Sequence, residues 1–219
     1  MDTERKLHPD IVHIRRIDRV LLTGDLEDAL WDSAQPVPIS RYWSGEEAPV
    51  GRHLEARLLW SSVALYARFV CRQDEPLIIN SDPQIERKTP GLWDRDVCEI
   101  FLSPDLEHPG RYFEFEAAPT GEWVDLAIEK TPDSRETDWE FHSGMKASAT
   151  IGPDSVLTMI SIPWEGLGYR PEAGARWRGN LTRCVGDGET RGYLAWQPTY
   201  TERPDFHVPE VFGEMVFRA

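Results

Sequence analysis

Basic residues are scarce in this 219-residue chain: 24 lysines and arginines stand against 38 aspartates and glutamates, a formal charge of −14. A field of that sign repels phosphate backbones and anionic headgroups, which excludes nucleic acid and membrane surfaces as partners. Long apolar runs are also missing. No segment reaches the roughly 18 consecutive apolar residues of a membrane helix, and the start, MDTERKLHPD, has no apolar stretch that could serve as a signal peptide, so the sequence reads as a soluble chain. Three cysteines are too few for a disulfide scaffold. A chain of this length buries roughly 70% of its unfolded surface and needs neither disulfides nor metals to fold. No Ser/His/Asp arrangement, HExxH, P-loop or dinucleotide fingerprint is present, and no internal repeat or low-complexity segment.

What is abundant is alternation with period two. Residues 63–72 (VALYARFVCR), 97–103 (VCEIFLS), 111–118 (RYFEFEAA) and 122–128 (EWVDLAI) alternate apolar and polar, each bounded by Gly, Pro or Asp. Later strands are expected at 145–151, 156–163, 176–185, 193–198 and 211–218. Only Leu26 to Ser33 offers a short helix, with Asp25 as its cap. Nine or ten short strands with almost no helical period predict an all-β fold, an antiparallel β-sandwich of the immunoglobulin or jelly-roll kind. Residues 1–20 read as an N-terminal arm and 21–219 as one sandwich domain. The polar stretch from Asp74 to Arg95 is long enough to be functional.

Sorting strand residues by parity separates two faces. Cys71 falls in register with Leu65, Ala67 and Phe69, and Cys98 with Ile100 and Leu102, so both read as core residues. Free thiols are the plain reading, with a Cys71–Cys98 disulfide the alternative if those strands are adjacent; Cys184 has no zinc spacing. Phe113, Phe115 and Ala117 oppose Tyr112, Glu114 and Glu116. Val124, Leu126 and Ile128 oppose Trp123 and Asp125, and Cys98, Ile100 and Leu102 oppose Val97, Glu99 and Phe101. The expected inner faces therefore hold Phe69, Phe113, Phe115, Val124, Leu126, Ile100 and Leu102. Parity also buries Arg183, which should find a carboxylate partner.

The reverse face mixes carboxylates with aromatic rings. A solvated outer face would account for the acids alone, but carboxylates accept paired hydroxyl hydrogen bonds while Trp and Tyr rings stack on pyranose C–H faces. Of nine tryptophans, Trp31, Trp60 and Trp164 read as core. Trp93 lies in a Pro- and Gly-containing loop among three charges, a setting suited to exposure for binding.

Trp93-Asp94-Arg95-Asp96-Val97-Cys98-Glu99-Ile100-Phe101-Leu102 resembles the W-x-x-D-x-V/C-E-I/V-F-L signature of family 9 carbohydrate-binding modules. In the family's order, Leu59-Trp60 with Leu65-Tyr66, Tyr112-Phe113-Glu114-Phe115 to Gly121, Ile162-Pro163-Trp164, Trp177 to Arg183, and Phe206 to Gly213 are similar to its further motifs. The resemblance implies a β-sandwich that binds sugars without cleaving them, working outside the cytoplasm. It implies a sugar held between two aromatic side chains, here Trp93 and Phe206, the latter standing where a tryptophan is expected. Glu99 matches the sugar-contacting carboxylate, and Glu116 stands where the xylanase-attached modules carry an arginine. Tyr112 and Arg203 complete the expected surroundings of the hydroxyls. No cofactor is implied beyond the structural calcium of several members, for which Asp94 with Asp96, or Asp187 with Glu189, are candidates.

Three rival readings remain open on the sequence. Glu99, Glu114, Glu116 and Asp125 could form the carboxylate pair of a glycoside hydrolase, spaced about 5–5.5 Å for retention or about 6.5–9.5 Å for inversion. Related sandwiches hold a haem through Met and His, although His207, Met159 and Met145 read as structural. The third is a protein-interaction module whose aromatics contact another protein.

Overall fold

The structure, a computed structural model, describes residues 10–219; residues 1–9 of the expected arm lie outside the described residues. Thirteen strands form: β1 (Ile11–Arg16), β2 (Val37–Ile39), β3 (Leu54–Trp60), β4 (Ala64–Arg72), β5 (Val97–Ser103), β6 (Arg111–Ala117), β7 (Trp123–Lys130), β8 (Arg135–Asp138), β9 (Lys146–Ile151), β10 (Ser155–Pro163), β11 (Arg176–Val185), β12 (Gly192–Ala195) and β13 (Gly213–Arg218). The strands beyond the expected nine or ten are mostly ones too short or too polar to carry a period-two signal, such as β2 and β8. The α-helix lies elsewhere than expected: α1 (Trp164–Leu167) follows β10 and ends on Gly168 at φ 76°. Residues Ala29–Ser33 form only a 3-10 turn. Its cap is Asp28, whose side chain accepts from the Leu30 N–H at 2.8 Å, because Asp25 is already engaged by the Leu22 N–H at 2.9 Å.

Strand order is β8-β7-β6-β5-β11-β13-β1-β3-β4-β10-β9, with β12 added to β11 and β2 to β3. All pairs are antiparallel except those of β1, which runs parallel to both β13 and β3 and joins the two halves. The expected arm thus ends in an interior strand, with Val12 and Ile14 buried and their neighbours exposed.

The two halves face each other. Leu65, Ala67, Phe69 and Cys71 of β4 and Ile160 and Ile162 of β10 meet Ile100, Leu102, Phe115 and Ala117 of β5 and β6 in one core, with Trp60, Trp164, Trp177 and Phe217 at its end. Phe113 packs against this core half-buried, 5.1 Å from Phe141. Cys71 Sγ and Cys98 Sγ approach to 3.3 Å across the sandwich as free thiols, facing rather than adjacent in the sheet.

The assignment of β7 is reversed from expectation. Phe115 pairs with Asp125, Glu114 with Leu126 and Glu116 with Val124, so Val124, Leu126 and Ile128 join the glutamates' face and Asp125 turns inward. Parity fixes which residues share a face but not which face it is. The β6–β7 hairpin decides that, closing through the Ala118 N–H to Glu122 carbonyl bond at 2.9 Å and Gly121 at φ 84°. Buried Asp125 is compensated by Lys88 Nζ at 2.8 Å and by the Ser143 N–H and hydroxyl, each at 2.7 Å.

Arg183 is buried as expected but without a carboxylate partner. Its guanidinium donates to the Arg52 and Arg72 carbonyls at 2.8 Å each and to Gln73 Oε1. Three neutral acceptors at the edge of β3, β4 and β11 satisfy its donors and replace the counter-charge.

Candidate functional site

The outer face of β5, β6, β7 and β11 carries a second, smaller cluster containing Val97, Phe101, Tyr112, Val124, Leu126, Phe206 and Phe212. Register sets Glu116 opposite Glu99 and Glu99 opposite Thr182, while Glu114 lies opposite Phe101. Three glutamates from two neighbouring strands therefore converge on one side of the sheet, on an apolar floor. A pocket of about 530 Å³ opens over them, lined by Glu99, Phe101, Glu114, Leu126 and Cys184 from the sheet and by Trp93, Arg135, Trp139, Tyr193, Asp205, Phe206 and His207 from its rim.

Burial controls the chemistry of these acids. Glu99 accepts from the Thr182 hydroxyl at 2.5 Å and from the Cys184 thiol at 3.3 Å, yet loss of water still raises its proton affinity above the ordinary carboxylate range. Glu114 is pushed up to about 8, first by burial and then by the charge of Glu99. Glu116 is fully buried and no protein donor reaches either of its oxygens; burial and the two neighbouring glutamates raise it well above the usual range. The neighbour it can bond is Glu114, through a shared proton. His207 Nε2 lies 3.9 Å from Glu114, but burial lowers the imidazole to about 4, so it is neutral at pH 7. Its Nδ1 is hydrogen-bonded to the Tyr112 hydroxyl at 2.9 Å.

The rim is built from loops held by backbone-directed hydrogen bonds. Trp93 sits in a 3-10 turn, Leu92–Asp94, entered through Gly91 at φ 77°. Arg191 donates to the carbonyls of Trp93 and, at 2.8 Å, of Arg95, while lying 5.6 Å from the Tyr193 ring. Lys88, in the expected functional loop, donates to the Asp125 carbonyl at 2.7 Å, to the Trp139 carbonyl at 3.2 Å and to the Phe141 carbonyl. One largely covered ammonium thereby ties the Trp93 loop to the segment carrying Trp139.

Of the residues read from sequence, Trp93, Glu99 and Phe206 line the pocket together. Phe206 is almost wholly covered by Phe101 and Tyr193, ring centroids 6.3 and 6.2 Å away, so little of its face is free. Tyr112 and Glu116 lie beneath the lining, and Arg203 is exposed outside it. Asp125 leaves the site altogether. Trp139, Arg135, Tyr193, Asp205 and His207 are among the lining residues that the sequence reading did not assign to the sugar site. Only Trp139 carried a signal there, as an indole amid the polar TDWEF run. A larger cleft of about 680 Å³ beside β2 involves Asp10, Gln35, Arg178 and Gln197, but lacks a comparable group of buried acids and exposed indoles.

The calcium candidates do not assemble a ligand set. Asp96 is buried and accepts from the Gly186 N–H at 2.8 Å, and Asp187 accepts from the Gly188 N–H at 2.6 Å. Among the described residues no group of three His, Cys, Asp or Glu side chains is placed to hold a metal, whereas calcium takes six to eight oxygens.

No curated protein matches this chain. Among solved structures, a provisionally assigned carbohydrate-binding protein from Bacteroides uniformis is 17% identical and superposes with a TM-score of 0.76, covering 96% of this chain and 100% of its own. A family 9 carbohydrate-binding module from Caldicellulosiruptor kristjanssonii in complex with cellotriose is 14% identical, with a TM-score of 0.66 and coverage of 96% and 94%. In complex with glucose, a family 9 module from the same organism gives 14%, 0.64, and 96% of both chains. Identities this low establish a shared fold. The profile of the family described as carbohydrate family 9 binding domain-like matches residues 22–219, and the chain belongs to that family.

Proposed function

We propose that the chain is a non-catalytic carbohydrate-binding module that takes a mono- or oligosaccharide in the pocket between β5, β6 and the Trp93 and Trp139 loops. One observation carries this reading: two exposed indoles stand beside a floor of buried carboxylates. Indole faces offer apolar area to pyranose C–H groups, worth about 0.5–1.5 kcal/mol beyond burial for an aromatic pair. Glu99 and Glu114 offer hydrogen bonds to hydroxyls, each adding roughly 0.5–1.5 kcal/mol when the carboxyl is neutral and roughly 1.5–3 kcal/mol when it is charged. Set against lost mobility, the sum gives dissociation constants in the micromolar to millimolar range.

The acids support binding over hydrolysis. A glycosidase separates the pKa values of its two carboxyls, one acid and one base. Here burial raises Glu99, Glu114 and Glu116 in the same direction, and they stand on neighbouring strands of one sheet rather than on opposite sides of a cleft. Calorimetric titration with glucose, cello-oligosaccharides and a wider glycan panel tests the proposal. Saturable binding abolished by Trp93→Ala supports it, and no binding to any glycan at millimolar concentration rejects it.

A further inference from the structure

We propose that the sugar this pocket is built for carries a free amine: a hexosamine, held as its ammonium form between Glu99 and Glu114 with Glu116 behind them. This rests on the carbohydrate-binding reading and names the ligand class for the same pocket.

The inference starts from how the rest of the fold treats buried polar charge. Asp125 has Lys88, Arg183 has three carbonyl oxygens, and Asp96 has the Gly186 N–H. Buried Glu122 accepts from the Thr120 hydroxyl at 2.9 Å, Asn80 at 3.2 Å and the Gln84 N–H at 3.4 Å. Glu99 keeps to it through the Thr182 hydroxyl and the Cys184 thiol, but Glu114 and Glu116 beneath the pocket break this pattern. Among the described residues no lysine or arginine comes within ion-pair distance of any of the three, and Glu116, with no exposed surface, has no donor at either oxygen beyond a proton shared with Glu114. Unpaired buried carboxylates destabilise a fold, and grouping three on one side of a sheet adds mutual repulsion. Their missing partner is therefore a cation or a set of donors that arrives from the pocket.

A sugar hydroxyl brings one proton and no charge. An ammonium brings three N–H donors and a positive charge that draws the shared proton off Glu114 and Glu116 to leave acceptor-only oxygens, and charge-assisted bonds are about twice as strong as neutral ones. The rim agrees: Asp94 and Asp205 add negative charge, Arg135 is the one arginine or lysine of the lining and is itself exposed, and the indoles of Trp93 and Trp139 attract a cation through their faces. A metal ion answers the same charge less well, since no ligating group of three is formed.

The test is calorimetric titration of the full chain at pH 7 and low salt with glucosamine, glucose, N-acetylglucosamine and L-lysine. Glucosamine is expected to bind at least about tenfold more tightly than glucose or N-acetylglucosamine, which keeps the nitrogen but not the charge. Lysine, an ammonium without a pyranose, is expected to bind at least about tenfold more weakly than glucosamine. The advantage over glucose should shrink between about 0.05 and 0.5 M NaCl. Glu114→Gln should bring the glucosamine-to-glucose ratio close to one; if it does not fold, Glu99→Gln and the salt series on the unaltered chain read the same charge. Equal or tighter binding of glucose overturns the inference and leaves the carbohydrate reading intact. Equal binding of lysine overturns the sugar part of it, and failure of every sugar to bind overturns both.

Discussion

Trp93 and Trp139 stand with ring centroids 6.1 Å apart and planes tilted by 45°, and they are the two exposed tryptophans of the described chain, at 37% and 43%. A pyranose between two rings needs two van der Waals layers, roughly 7–8 Å. The indoles therefore touch one another and form one continuous wall, so a sugar stacks along that wall rather than between them unless the loops part. Trp93 arrives from the long loop before β5 and Trp139 from the end of β8, and their meeting depends on the loop that Lys88 anchors.

Replacing either indole separates binding from stability. Trp93→Ala and Trp139→Ala should each weaken sugar binding at least about tenfold, and exposed side chains of this kind change stability by about 0.5 kcal/mol. The melting temperature should move by only a few degrees. A large fall in melting temperature with unchanged titration would show that the wall is structural.

Lys88→Met leaves Asp125 buried without its counter-charge, a loss of about 3–5 kcal/mol. Urea unfolding should show a shifted midpoint with an unchanged slope. Adding Asp125→Asn should recover part of the loss, because the buried charge is then gone. Sugar affinity should fall in Lys88→Met as the Trp139 segment loosens, and should not return with the second change.

Stability should decline with rising pH across the neutral range. Glu114 is raised to about 8 when folded, and Glu99 and Glu116 move in the same direction. The folded state then holds more protons than the unfolded one between about pH 4.5 and 8. The stabilisation is complete below the unfolded value and is lost as pH rises through the folded one. Melting curves from pH 7 to 9, above the range where the lowered His207 imidazole acts in the opposite sense, should show the fall, and Glu114→Gln should flatten it. A melting temperature rising over that span would contradict the burial assigned to these acids.

The 3.3 Å approach of Cys71 Sγ to Cys98 Sγ predicts one reactive pair and one isolated thiol. During refolding with oxidised glutathione, the two thiols give up two protons and two electrons, form one disulfide and release two glutathione thiols. Thiol titration of the subsequently unfolded chain should fall from three to one. Closing a loop across 27 positions stabilises by about 3.5 kcal/mol in the chain-entropy view. Cys71→Ser should show two thiols whether or not the oxidant was present.

Alternation along β4, β5, β6 and β11 determined the sandwich, its core residues and the existence of a face bearing Glu99, Glu114 and Glu116 beside aromatic rings. The fold class and the family were both legible there, because alternation is a local consequence of strand geometry and motif order is a property of the chain itself. Trp93 was legible as a loop indole for the same reason. The side taken by β7 was not: Val124 and Leu126 formed a consistent apolar set on either face, and the hairpin register alone turned Asp125 inward. Nor could sequence bring Trp139 to Trp93, find β1 between β13 and β3, or show that Arg183 is satisfied by carbonyls while the three glutamates have no cation. Those facts depend on groups far apart in the chain meeting in one place, and the free energy of a buried charge is set by whichever partners the tertiary structure delivers to it.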